Sequence, residues 1–160
     1  MKKFIVLFVI IVQFICLSAC ADYKQLGRSN HMNDKKEVVL YLNSISVLVE
    51  NDIYFVVIKQ DDKAEKSVTF SKNRKASNID GLKLQKINDI KEFLGKDMET
   101  IETFLGEVHA DAGSGFYIPS YITDDGFLVS FLIENNIVYE VIKRDLLSGE
   151  VVEKFLTEEG

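Results

Sequence analysis

The sequence predicts an α+β fold: a short helical hairpin packed on an antiparallel β-meander, preceded by an N-terminal β-meander. Three observations carry that prediction. Residues 38–70 are rich in β-branched and aromatic residues interrupted by turn formers, residues 87–105 change to helical spacing, and residues 116–143 return to strand-like runs broken by Asp-Asp-Gly and Asn-Asn. Composition suits such a domain. Of 160 residues, 47% are hydrophobic, which supplies a packed core, and the formal charge of −6 argues against the basic face that nucleic-acid binders carry.

The chain opens on MKKFIVLFVIIVQFICLSAC, with Lys2 and Lys3 before an unbroken apolar run from Phe4 to Val12 and a small-residue stretch closing on cysteine. This is the layout of an export signal. Leu17-Ser18-Ala19-Cys20 resembles the lipobox of bacterial lipoproteins. There, small residues before the cut fit an extended backbone into a membrane peptidase, and the cysteine thiolate takes up a diacylglyceryl group. Residues 1–19 are thus expected to form a signal peptide cut between Ala19 and Cys20, with Cys20 lipidated. Phe4 to Ala19, interrupted by Gln13, falls short of the roughly 20 apolar residues that span a bilayer.

Cysteine use agrees with this reading. Cys16 leaves with the signal and Cys20 becomes the anchor, so no disulfide, thiolate metal site or cysteine nucleophile is left to the exported domain. Two or three acyl chains, each methylene contributing about 0.8 kcal/mol, hold a protein on a membrane durably. The expected location is the extracytoplasmic face of the cell membrane, reached by lipid rather than by a span.

Residues 20–36 comprise that cysteine and a polar stretch without either period, a flexible tether with a typical reach of about 20 Å. His31 lies there without a neighbouring ligand, so a surface histidine is expected. Residues 37–160 form the single folded domain. In its first part, VVLYLNSISVLV, IYFVVIK and SVTF read as three or four strands; Asn51-Asp52 marks a hairpin turn and Asn43-Ser44 a bulge or break. Residues 71–85 read as polar and irregular.

Ile87, Ile90, Phe93 and Leu94 then recur at helical spacing and stop at Gly95; Met98, Ile101, Phe104 and Leu105 repeat the pattern and stop at Gly106. Asp97 is placed to cap the second helix through the N–H near Thr100. The shared apolar face, Phe104 included, should rest on the strands that follow: FYIPSYIT, FLVSFLIE and IVYEVIKR. Phe127, Val129, Phe131 and Ile133 would supply the apolar side of the middle strand. Pro119 cannot donate to a ladder, which points to an edge strand or a bulge. Ser148 to Leu156 places Val151, Val152, Phe155 and Leu156 at helical spacing, a short closing helix.

Gly95 to Ile101, Leu105-Gly106, FYIPSYIT and LVSFLIENNIVYEV together resemble the SmpA/OmlA (BamE-like) lipoprotein domain over residues 86–143. The family's proline two residues after the second glycine is Val108 here. The resemblance implies two helices on a three-stranded antiparallel sheet, the fold shared with β-lactamase-inhibitor-like proteins. It also implies a noncatalytic envelope lipoprotein acting through protein contacts.

The loop His109-Ala-Asp-Ala-Gly-Ser-Gly115 gathers the most chemistry, yet neighbours in sequence seldom orient as a triad. No catalytic residue is assigned. A glycine-rich connection is the plain reading; as a partner-binding loop it would use His109, Asp111 and Ser114, joined by Tyr117 and Tyr121. Asp124 and Asp125 precede Gly126 and read as turn formers. No metal, cofactor or nucleic acid is expected. The sequence therefore points to a binding or scaffold lipoprotein that contacts an unidentified envelope protein, with an inhibitor or immunity factor blocking a cell-surface hydrolase as the alternative.

Overall fold

Short β-branched runs joined by tight turns pair most readily with their immediate neighbours, and ten strands do this in eight antiparallel pairings. The computed structural model describes residues 37–157; the signal segment, Ala19, Cys20, the tether and His31 lie outside the described residues. β1 (Glu37–Leu42), β2 (Ile45–Glu50), β3 (Ile53–Ile58), β4 (Lys66–Ser71) and β5 (Ala76–Asp80) form one antiparallel sheet in sequence order. β6 (Ala110–Asp111), β7 (Pro119–Ile122), β8 (Phe127–Glu134), β9 (Ile137–Asp145) and β10 (Val151–Leu156) form a second. Between them lie one 3₁₀ turn, Ile90–Phe93, and one α-helix, α1 (Met98–Leu105). The molecule is therefore mostly β: two five-stranded sheets replace the helical hairpin on a three-stranded meander that the sequence led us to expect.

Turn chemistry fixes the first sheet. Asn43 (φ 35°), Asn51 (φ 52°) and Asp52 (φ 61°) take the left-handed conformation that tight hairpins demand, so Asn43-Ser44 is a hairpin turn rather than a break. The resulting register aligns Leu40, Val47, Val56 and Val68 across four strands, with Ile45 opposite Ile58 and Tyr54 opposite Phe70. That face packs with Ala110, Ile122, Leu128 and Leu146 of the second half in one buried cluster.

The second sheet is covered on both sides. Leu128 and Ile122 point toward the first sheet, while their neighbours Val129, Phe131 and Tyr121 meet Ile90, Phe93, Ile101 and Leu105 in a second cluster. This is why FLVSFLIE reads as a nearly continuous apolar run: a strand buried on both faces has no polar side to alternate with.

Four expectations need correcting. The first expected helix is one 3₁₀ turn, because Asp89 caps it through the Lys91 N–H at 2.9 Å and Leu94 already leaves it in extended conformation, leaving four residues between, too few for a stable α-helix. The expected closing helix is β10: its β-branched residues pair along the open edge of β9, which offers more hydrogen bonds than a one-turn helix. The irregular stretch contains β5, an almost wholly exposed edge strand whose two wetted faces give no alternation to read. Phe104 is 75% exposed on the flank of α1, touching Phe93 edge-on at 6.5 Å, while Ile101 and Leu105 carry the burial.

Other readings fit. Asp97 caps α1, its carboxylate accepting from Thr100 N–H at 2.7 Å, which holds the carboxyl below its usual range. Pro119 opens β7 opposite Asp111, where a missing N–H costs little, although β7 is an edge only beyond the two residues of β6. No helix among the described residues is long and apolar enough to cross a membrane.

Candidate functional site

The loop between α1 and β7 is shaped by its own aspartate. Asp111 Oδ1 accepts from the N–H groups of Gly113 at 2.8 Å and Ile118 at 2.9 Å, drawing the chain into a compact turn. Ser44 in the first sheet's turn completes the arrangement: its hydroxyl donates to the Asp111 carbonyl at 2.7 Å, and its N–H reaches the same oxygen at 3.3 Å. Gly113 is required at its position, since a Cβ there would lie 1.7 Å from the Phe116 carbonyl oxygen. The turn therefore presents Ser114, Phe116 and Tyr117 to solvent, the two aromatics 66% and 57% exposed.

Beside this tip lies a cleft of about 540 Å³. The β3–β4 loop lines it with Lys59, Asp61 and Lys63. Glu102 of α1, Glu107 and Tyr117 also line it, as do Asn43 and Ser44 of the β1–β2 turn. Burial raises the Tyr117 hydroxyl above its ordinary pKa, and the carboxylates of Glu102 and Asp111 add to the shift. The cleft is thus a charged recess with one aromatic wall.

The five residues expected to bind a partner divide. Asp111 and Tyr117 line the cleft, and Ser114 is exposed on the adjoining tip. His109 and Tyr121 are not available to a partner. His109 is 3% exposed; its Nδ1 accepts from the Ile122 N–H at 2.9 Å. Desolvation, aided by the charge of Lys66, lowers its pKa to about 4, so the ring is neutral at physiological pH. Tyr121 is fully buried against His109 and Phe131, and its hydroxyl donates to the Gly106 carbonyl at 2.9 Å; burial raises its pKa. Tyr121 lies on the sheet face that packs with Ile101 and Leu105 of α1, and His109 is enclosed against the Tyr121 ring and the Ile122 backbone.

Sequence reasoning missed Lys63 and Glu102, which lie 39 residues apart and meet at the cleft only because the two sheets stack. No local signal marks them. Asp124 and Asp125 do form a turn, with Gly126 at φ 80° and Asp125 Oδ1 accepting from the Thr123 hydroxyl at 2.6 Å. Among the described residues, no three of His, Cys, Asp and Glu gather in a way that could hold a metal ion. No family model matches the chain, and no curated protein or solved structure is similar to it at a significant level.

Proposed function

We propose that the protein is a lipid-anchored binding or scaffold lipoprotein on the extracytoplasmic face of a bacterial membrane, acting by contact with an envelope protein and without catalysis. The observation that carries this is the agreement of Lys2-Lys3, the apolar run from Phe4 to Val12 and Leu17-Ser18-Ala19-Cys20. A contact role is supported by where titratable groups go. His109, Tyr121, Asp145 and Glu140, buried titratable groups, spend their hydrogen bonds on the backbone, on Arg74 or on Lys154. Phe116 and Tyr117 are among the exposed aromatics, on a tip that lies beside the cleft, as binding residues favour.

A second reading, an inhibitor or immunity factor for a surface hydrolase, is favoured by the same tip, since Phe116 and Tyr117 project as aromatic anchors of the kind that fill clefts. Changing Cys20→Ala should move the protein from the membrane to the soluble fraction and abolish incorporation of labelled fatty acid. Persistence of both membrane attachment and label would refute the anchoring scheme. Cross-linking in intact cells through a photoreactive residue at position 116 should capture a discrete protein. A hydrolase in that adduct selects the inhibitor reading.

A further inference from the structure

The cleft carries unspent charge of both signs. From the β3–β4 loop, Lys59 is paired with Glu65 at 3.0 Å, outside the cleft lining, while Asp61 and Lys63 enter no ion pair among the described residues, which leaves Lys63 as the unpaired cation of the lining. Glu107 lies 3.8 Å from Lys66, and Asp111 Oδ1 is taken by two backbone N–H groups. Glu102 is left without an ion pair among the described residues. Lys63 and Glu102 line one recess without forming an ion pair, with Tyr117 near Glu102 and Asn43 in the same lining.

We propose that this cleft binds a short zwitterionic peptide with free termini, its carboxylate held by Lys63 and its ammonium by Glu102, with Tyr117 covering the chain between. The volume fits. Ligand clefts run from about 300 to 1,000 Å³, and 540 Å³ accommodates a few residues of extended chain. The lining fits as well: charged and amide groups suit a peptide backbone with charged ends better than an apolar molecule, and complementary charges fix its direction in the cleft. This inference rests on the reading of the protein as a noncatalytic binding lipoprotein and narrows what it binds.

The test is titration of the full mature protein, in detergent or as the Cys20→Ala form, with tetra-alanine, followed by NMR or calorimetry. Binding should shift signals of Tyr117 and Asn43 and should weaken about tenfold or more when the peptide is N-acetylated and C-amidated. Lys63→Glu and Glu102→Lys should each weaken tetra-alanine binding about tenfold. The double variant should recover to within about threefold of wild type, because a zwitterion can enter the reversed cleft the other way round. Both positions are exposed, and recovery in the double variant separates charge pairing from damage to the fold. Equal binding of the blocked peptide, insensitivity to the single reversals, or no tetra-alanine binding at millimolar concentration would overturn the proposal. In each of those cases the membrane fractionation and cross-linking results still decide the lipoprotein reading separately.

Discussion

At the scale of single residues, burial separates side chains that look alike in the sequence. Phe104 and Phe131 both sit in apolar patterns, but Phe131 is fully buried between Phe93 and Tyr121, with ring centroids at 5.4 and 5.9 Å. Phe131→Ala should cost about 3–5 kcal/mol of unfolding free energy, whereas Phe104→Ser should change it by less than about 0.5 kcal/mol; denaturant titration distinguishes them. His109 supplies the sharpest pH prediction. Its pKa is about 4 in the fold and near the ordinary 6.5 when unfolded, so between those values the unfolded chain binds the extra proton. Stability should be full above pH 6.5, fall by about 3 kcal/mol as pH drops toward 4, and flatten below that as far as this group is concerned. His109→Gln should lower stability at pH 7 and remove most of that slope. An unchanged slope would show that another group titrates.

At the scale of elements, the connection Ala112–Ile118 depends on one close approach. Gly113→Ala forces a Cβ onto the Phe116 carbonyl, so the turn must open, at a cost of about 1–3 kcal/mol and with displacement of Tyr117 from the cleft wall. Loss of the Tyr117 signals expected for the cleft, with the rest of the spectrum retained, checks this. Elements were legible in the sequence where a one-sided burial or a turn residue wrote a period: β3, β4, β8, β9 and the cap at Asp97 followed the pattern. They were illegible where two elements competed for the same spacing. Val151, Val152, Phe155 and Leu156 satisfy a helical period, yet the neighbouring edge of β9 captures them as a strand. Ile87, Ile90 and Phe93 do face the core at helical spacing, but the cap at Asp89 and the extended Leu94 leave them one turn. Half of the candidate site was legible for the same reason. Asp111, Ser114 and Tyr117 lie in a glycine-rich loop that announces itself, whereas the Lys63 side of the cleft arises from stacking that no local pattern encodes.

At the scale of the whole molecule, one arginine joins the two sheets. Arg74, held at φ 64° in the β4–β5 turn, donates to the Asp145 carboxylate at the end of β9 and to the Asp125 carbonyl at 3.3 Å, and lies over the Phe127 ring at 4.5 Å. Burial alone would raise the Asp145 carboxyl, but the hydrogen bond from Arg74 and the N–H of Leu147 hold it below its ordinary value. That contribution is present above the ordinary carboxylate pKa and is lost as pH falls through the lowered one. Arg74→Met should cost about 1–2 kcal/mol near neutral pH and progressively less as pH falls below the ordinary carboxylate range, as seen by thermal unfolding across pH. The acid response of the domain then has two parts, His109 first and Asp145 below it.

We propose that this two-sheet domain sits outside the cytoplasm on a lipid, and the mass of the mature protein tests that most directly. Intact-mass and tandem analysis of the protein purified from bacterial membranes should find Cys20 as the first residue, carrying a diacylglyceryl thioether. A chain still beginning at Met1 with an unmodified thiol at Cys20 would contradict it.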